Sequence, residues 1–97
     1  MKLDKVVFIN NLPTLDLHGY DRQTAVVAIS DFIRDNIKLK NEIIVIIHGI
    51  GNGIIRKSTH EYLKSCKNVL EFKTYYYNEG STIVALKLWQ RAFFMVY

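Results

Sequence analysis

Hydrophobic and polar positions follow two different periods along this chain, and the change of period predicts where its strands and helices lie. Residues 12–18 alternate between apolar and polar side chains, which predicts a short strand. In that strand Leu15 and Leu17 face one side of the sheet. Asp16 and His18 face the opposite side, so two chemically active side chains are predicted to lie together.

Three further segments have the composition of strands. Residues 42–48 contain a run of consecutive β-branched residues and predict a strand that is buried on both faces. Residues 69–77 and 82–88 are also rich in strand-forming residues. Residues 78–81 between them predict a four-residue hairpin loop.

Two amphipathic helices separate the first three strands. The first is predicted to begin after Asp21, because aspartate caps helix N-termini, and to end before a turn at residues 38–41. Its apolar stripe at helical spacing comprises Ala25, Ala28, Ile29, Phe32, Ile33 and Ile37. One face of the second helix carries Ile55, Tyr62, Leu63 and Cys66. The predicted element order is βαβαββ, which belongs to the α/β (α+β) class.

Length and composition predict one globular domain. The chain has 97 residues, of which 49% are hydrophobic and 23% charged, as in ordinary globular proteins. A net charge of +4 favours a negatively charged partner, nucleic acid first. One cysteine and no apolar run of the ~20 residues that a membrane span needs predict a soluble cytoplasmic protein without a membrane partner.

The segment from His48 to Gly53, called the glycine loop below, leaves a strand and enters a helix. Glycines let a ligand approach backbone amides closely, and a helix N-terminus attracts anions. The candidate nucleic-acid-binding residues are Gly49, Gly51, Asn52, Gly53, Arg56 and Lys57. The spacing fits neither the Walker motif nor the dinucleotide fingerprint. A tight turn that needs glycine only for its geometry is the alternative.

A histidine–glycine pair ends each of the first two strands. His18 precedes Gly19, and His48 precedes Gly49 thirty positions later. If the two strands are parallel, both histidines lie at the carboxyl edge of the sheet, where open α/β sheets bind ligands.

These motifs resemble those of the small MutS-related (Smr) domain family. Residues 15–19 read L-D-L-H-G like the family's opening motif, and residues 48–51 match its H-G-x-G motif. Arg56 also fits the family pattern, and residues 79–86 are similar to its closing segment, which usually carries more glycine. The similarity runs from about residue 14 to residue 88. On this basis residues 1–97 form a single Smr-like domain with a lead-in at 1–13 and an apolar tail at 89–97.

The resemblance implies a two-layer sandwich with a mixed four-stranded sheet and two helices, similar to the C-terminal domain of a bacterial translation initiation factor. It also implies nucleic-acid binding, with endonuclease activity on DNA or RNA in several relatives. The family's implicated residues correspond to Asp16, His18, His48, Gly49 and Gly51.

The predicted catalytic residues are Asp16, His18 and His48. His18 would serve as acid or base, because imidazole titrates near neutral pH. Asp16 would orient a histidine or hold a metal, and His48 would be a second acid–base group or a phosphate ligand. No metal-binding set is predicted, so Mg²⁺ would arrive with the substrate phosphates. The alternatives are a hydrogen-bonded structural Asp–His pair and a His48 that only caps its strand.

Three other features of the sequence have interpretations that do not involve catalysis. His60 lies mid-helix beside charged residues, which predicts a solvated surface group. Tyr75, Tyr76 and Tyr77 either stack on bases or pack in an edge strand. The apolar tail either packs on the core or mediates self-association.

The leading functional prediction, from the resemblance and the predicted catalytic residues, is an endonuclease, a phosphodiester hydrolase. The alternatives are a non-catalytic nucleic-acid-binding module and a protein-interaction or dimerisation domain.

Overall fold

The elements of the chain follow the predicted order. The computed structural model describes Leu3, residues 11–75 and residues 78–88, so the tail at 89–97 and most of the lead-in lie outside the described residues. The elements are β1 (Thr14–Asp16), α1 (Arg22–Lys38), β2 (Ile43–Ile47), α2 (Ile54–Ser65), β3 (Val69–Tyr75) and β4 (Asn78–Leu86). The βαβαββ order and the α+β class are confirmed.

The four strands form one mixed sheet in the order β1-β2-β4-β3. Strand β1 is parallel to β2, with Asp16 opposite Ile47, and β4 is antiparallel to both of its neighbours. The parallel pair places the carboxyl ends of β1 and β2 at one edge, as predicted. His18 and His48 follow those two ends directly.

The hairpin between β3 and β4 is not where the sequence predicted it. Residues 78–81 are strand residues at the start of β4, and β3 ends at Tyr75. Ser81 pairs with Ile47 of β2, and the Gly80 carbonyl accepts from the glycine loop. These tertiary hydrogen bonds hold turn-forming residue types in an extended strand. The intervening Tyr76 and Tyr77 lie outside the described residues.

Helix α1 has the predicted cap. The Asp21 carboxylate accepts a 2.8 Å hydrogen bond from the Thr24 backbone N–H and another from the Thr24 hydroxyl. Both bonds favour the charged carboxylate and lower the pKa of Asp21. The helix ends at Lys38, and Lys40 follows with a φ of 63° in the predicted turn.

The main core lies between the helices and one face of the sheet. Its buried members come from both helices, from β2 and β4, and from the residue directly after β1: Leu17, Ala25, Ile29, Ile33, Ile44, Ile46, Leu63, Val84 and Leu86. A smaller cluster of Leu3, Tyr75, Ile83 and Ala85 covers the other face. Tyr75 is therefore a packing residue and not a base-stacking one. No helix of the described residues is long and apolar enough to cross a membrane.

Candidate functional site

A groove of about 390 Å³ opens at the carboxyl edge of β1 and β2. It is called the edge groove below. Asp16 and His18 line it from the end of β1, and His48, Gly49 and Gly51 line it from the end of β2. The structure thus brings the two predicted motifs together in one site.

Local backbone hydrogen bonds shape the β1 side of the groove. The Asp16 Oδ1 atom accepts a 2.9 Å hydrogen bond from the His18 backbone N–H, and the Tyr20 N–H donates to the Leu17 carbonyl at 3.0 Å. Gly19 lies inside this turn with a φ of 83°, a conformation that glycine adopts without strain. The Asp16 and His18 side chains are both exposed, so they are accessible to a ligand.

Strand β4 anchors the first residues of the glycine loop. The backbone N–H groups of His48 and Gly49 both donate to the Gly80 carbonyl, each at 2.9 Å. Gly80 approaches the loop so closely that a Cβ atom there would lie 3.2 Å from the Gly49 Cα atom. The loop therefore begins from a fixed point on the sheet.

The end of the glycine loop leads into helix α2. The Gly53 N–H donates to the Ile50 carbonyl at 3.1 Å, and the Asn52 Oδ1 atom accepts from the Ile54 N–H at 3.1 Å. The amides of Ile50, Gly51 and Asn52 have no hydrogen-bond partner among the described residues. These free N–H groups precede a helix N-terminus, where backbone amides bind anions.

Asn52 and Gly53 thus shape the turn from loop to helix, and Gly53 has a φ of 84°. Arg56 is half-buried in the first turn of α2, and Lys57 is exposed beside it. All six predicted nucleic-acid-binding residues accordingly lie in one continuous segment, at the groove or directly beyond it.

The His48 ring is buried behind the groove, with 8% of its surface exposed. Its Nδ1 atom lies 2.9 Å from the Gly49 carbonyl oxygen, and its Nε2 atom lies 2.7 Å from the Thr82 Oγ1 atom. Because a carbonyl oxygen only accepts, Nδ1 carries the proton. The neutral Nε2 atom then accepts from the Thr82 hydroxyl.

The prediction that His60 is a solvated surface group is wrong. The His60 Nε2 atom lies 2.8 Å from the same Thr82 Oγ1 atom. Its ring packs edge-on against His48, with 5.6 Å between centroids, and lies 5.2 Å from the Phe72 ring. A signal was present in the sequence, because His60 lies three positions before the buried Leu63 and so borders the buried face of α2.

Burial and nearby cations keep both histidines neutral near neutral pH. Burial is the main cause of the lowered pKa of His48, and Arg56 adds to it, while the hydrogen bond to Gly49 acts in the opposite direction. Burial also lowers the pKa of His60, and electrostatic repulsion from His48, Arg56 and Lys64 lowers it further. Of these two uncharged imidazoles, only His48 lines the edge groove, and His60 lies behind it.

Acidic ligands are sparse at this edge. Among the described residues, Asp16 is the one carboxylate that lines the edge groove. Within the described parts of the chain, no three His, Cys, Asp or Glu side chains are grouped so as to hold a metal ion. Any divalent ion at this site would rely on Asp16, water and the ligand's own oxygens.

The fold and the groove together define a two-layer α+β domain with a ligand-sized site at the carboxyl edge of two parallel strands. The Smr domain family matches residues 15–87 of this sequence. The chain belongs to that family, and the resemblance drawn from its motifs is confirmed.

Similar curated proteins support membership in the Smr domain family. Endonuclease MutS2 of Brevibacillus brevis is 40% identical over 76 residues, which cover 75% of this chain and 10% of that protein. Endonuclease MutS2 of Lactobacillus helveticus is also 40% identical over 76 residues, with the same two coverages. The chain spans about a tenth of the length of the curated relatives it matches.

Solved structures of Smr domains are also similar to this chain. The Smr domain of Thermus thermophilus MutS2 aligns with a TM-score of 0.77 and 25% identity, covering 78% of this chain and 99% of that one. YdaL, a stand-alone small MutS-related protein from Escherichia coli, aligns with a TM-score of 0.69 and 20% identity. That alignment covers 76% of this chain and 63% of YdaL, and it shows a shared fold.

Proposed function

We propose that this chain is a nucleic-acid-binding Smr domain that cleaves phosphodiester bonds of DNA or RNA as an endonuclease. The observation that carries the proposal is the edge groove, which joins the exposed Asp16 and His18 to the glycine loop. The similar MutS2 proteins are named endonucleases, which supports the same reaction class. We place this activity in the cytoplasm, where a lone thiol such as Cys66 stays reduced.

The glycine loop would bind a backbone phosphate. The free amides of Ile50, Gly51 and Asn52 supply neutral donors, and the helix N-terminus adds a positive dipole end. Arg56 and Lys57 supply formal charge in the same segment. These groups also stabilise the extra negative charge that the phosphate gains in the transition state.

His18 would transfer the proton in the cleavage step. Its exposed ring lies in the groove, whereas both nitrogens of His48 are bonded inside the protein. We therefore assign acid–base chemistry to His18 and positioning of the glycine loop to His48. Asp16 would hold the attacking water or a Mg²⁺ ion that arrives with the substrate.

The proposal is tested by incubating the purified protein with labelled structured RNA, single-stranded DNA and supercoiled plasmid, with Mg²⁺ or with EDTA. Cleavage of at least one substrate, lost in the Asp16→Asn variant but kept in the Asp35→Asn variant, is the expected result. Asp35 is a matched control because it is exposed on α1, away from the groove. Binding without cleavage under every condition would establish the non-catalytic module instead.

Replacing Lys57 by glutamine is expected to weaken binding to all nucleic-acid sequences alike, because an exposed lysine contacts phosphates and not bases. The slope of log affinity against log salt should fall by about one unit. Affinities measured over a series of salt concentrations give this slope. Lys38→Gln, at the far end of α1, is the control and should leave the slope unchanged.

A further inference from the structure

We propose that His60, Thr82 and His48 form a proton relay through which an anion bound in the edge groove draws one proton into the protein. The anion is a nucleic-acid phosphate, and in that respect the inference rests on the proposed function. His60 and Thr82 are positioning residues in this relay, because they act on the groove only through His48.

The hydrogen bonds of the three residues have one consistent direction when both histidines are neutral. His48 Nδ1–H donates to the Gly49 carbonyl, so its Nε2 atom must accept. Thr82 therefore gives its only hydroxyl proton to His48 Nε2, at 2.7 Å. The Thr82 oxygen then accepts from His60 Nε2–H, at 2.8 Å. The remaining His60 nitrogen, Nδ1, is left unprotonated.

One added proton reverses the direction of the hydrogen bonds that link His60, Thr82 and His48. The proton enters at His60 Nδ1, and the His60 Nε2 proton passes to the Thr82 oxygen. The Thr82 hydroxyl proton passes to His48 Nε2. His48 is then a cation with protons on both nitrogens, and His60 is neutral with its proton on Nδ1. One proton enters, no covalent bond between heavy atoms changes, and every hydrogen bond is kept.

The entry and the delivery point of the relay lie on different sides of Thr82. His60 is half-buried, and its Nδ1 atom has no hydrogen-bond partner among the described residues, which leaves it available to accept the entering proton. His48 lines the edge groove together with Asp16 and His18. The relay thus delivers positive charge to the wall that faces the ligand.

The charges around the relay explain why an anion favours its protonation near neutral pH. Arg56 of α2 disfavours a positive charge on either ring, and Lys64 disfavours one on His60. Thr82 of β4 and Phe72 of β3 contribute no charge. Asp16 and His18 line the same groove as His48, from the β1 side. A bound phosphate opposes the effect of Arg56, so it raises the pKa of the pair and proton uptake accompanies binding.

The sign of the pH effect follows from this linkage. The complex binds more protons than the free protein, so affinity should fall as pH rises through the window between the two pKa values. The free-protein end of that window is shifted downward from the ordinary histidine pKa, because burial lowers the pKa of both rings. Uptake of one proton sets a limit of about tenfold in affinity per pH unit.

The relay is tested by nitrogen NMR of the histidine rings in the full chain, with an oligothymidylate as the probe. Without the probe, near neutral pH, His48 should be protonated on Nδ1 and His60 on Nε2. With the probe at about pH 6, His48 should become a cation while the His60 proton moves to Nδ1. A free His48 protonated on Nε2 would overturn the proposal.

Two matched pairs of variants isolate the relay from simple structural damage. Thr82→Val keeps the side-chain shape but removes the hydroxyl, whereas Thr82→Ser keeps the hydroxyl. His60→Phe removes the donor, and His60→Gln keeps a donor that cannot relay. Thr82→Ser should retain the His60 proton shift and the pH dependence of affinity, and Thr82→Val should lose both. The two His60 variants should lose the pH dependence of affinity. An unchanged pH dependence in Thr82→Val would overturn the relay.

Failure of the relay can be told apart from failure of the proposed function. If no nucleic acid binds, the proposed function fails, yet acid titration of the free protein still reports the relay. His48 should then take the proton while His60 changes its protonated nitrogen. If nucleic acid binds and neither ring changes state, the relay alone is refuted.

Discussion

Replacing His18 by alanine is expected to lower the rate of phosphodiester cleavage by about 10²–10⁴-fold, the usual contribution of a positioned acid or base. Affinity for nucleic acid should stay within a few-fold, because the amides that we propose to bind phosphate belong to the glycine loop. The His18 ring is exposed and forms none of the side-chain hydrogen bonds within the described structure, so its removal should leave the fold intact. Single-turnover cleavage and equilibrium binding measure the two effects separately.

Lys38→Ala is the control for the His18 variant, since it also truncates an exposed side chain but lies at the far end of α1. It should cleave like the original chain. A His18→Ala variant that cleaves at an unchanged rate would remove His18 from the chemistry. Restored activity with added imidazole would support its role in proton transfer.

Replacing Gly80 by valine is expected to displace the glycine loop. A Cβ atom at Gly80 would lie 3.2 Å from the Gly49 Cα atom and 3.3 Å from the Gly49 carbonyl carbon, and valine adds two further carbons. The two backbones cannot separate easily, because Ser81 is paired with Ile47 and the Gly80 carbonyl accepts two loop amides. Overpacking of this kind costs about 1–3 kcal/mol of unfolding free energy.

The same variant should bind nucleic acid about tenfold or more weakly, which corresponds to ~1.4 kcal/mol. Ser81→Ala is the matched control at the next position. The Ser81 hydroxyl is buried and has no hydrogen-bond partner within the described part of the chain, so its removal should leave stability unchanged or slightly raised and binding unaffected. Denaturant unfolding and binding titrations on both variants check this. A Gly80→Val variant that binds normally would show that the loop position is not critical.

The sequence predicted the element order and the edge location of the site, because both depend on local patterns. Alternation places Leu15 and Leu17 inward, and the uninterrupted β-branched run identifies β2. A parallel β1–β2 pair then brings His18 and His48 to one edge. Each of these predictions depends only on the spacing of apolar side chains and on the order of the elements along the chain.

Features that depend on contacts between residues far apart in the sequence could not be predicted from local patterns. Asn78 and Gly80 are turn-forming residue types, yet loop amides some thirty positions earlier hold Gly80 in a strand. His60 has charged neighbours along the helix, yet its ring reaches Thr82 of β4. Whether His48 points its nitrogens at a ligand or at the protein is likewise decided by Thr82, 34 positions away.

The measurement that tests the central claim most directly is a titration of the amide NMR spectrum with single-stranded DNA. If the edge groove binds nucleic acid, the largest shifts should occur at the free amides of Ile50, Gly51 and Asn52 and at His18. Shifts confined to the separate groove between the helices, which Arg22 and Val27 line, would contradict the claim. So would a spectrum that does not change at low salt.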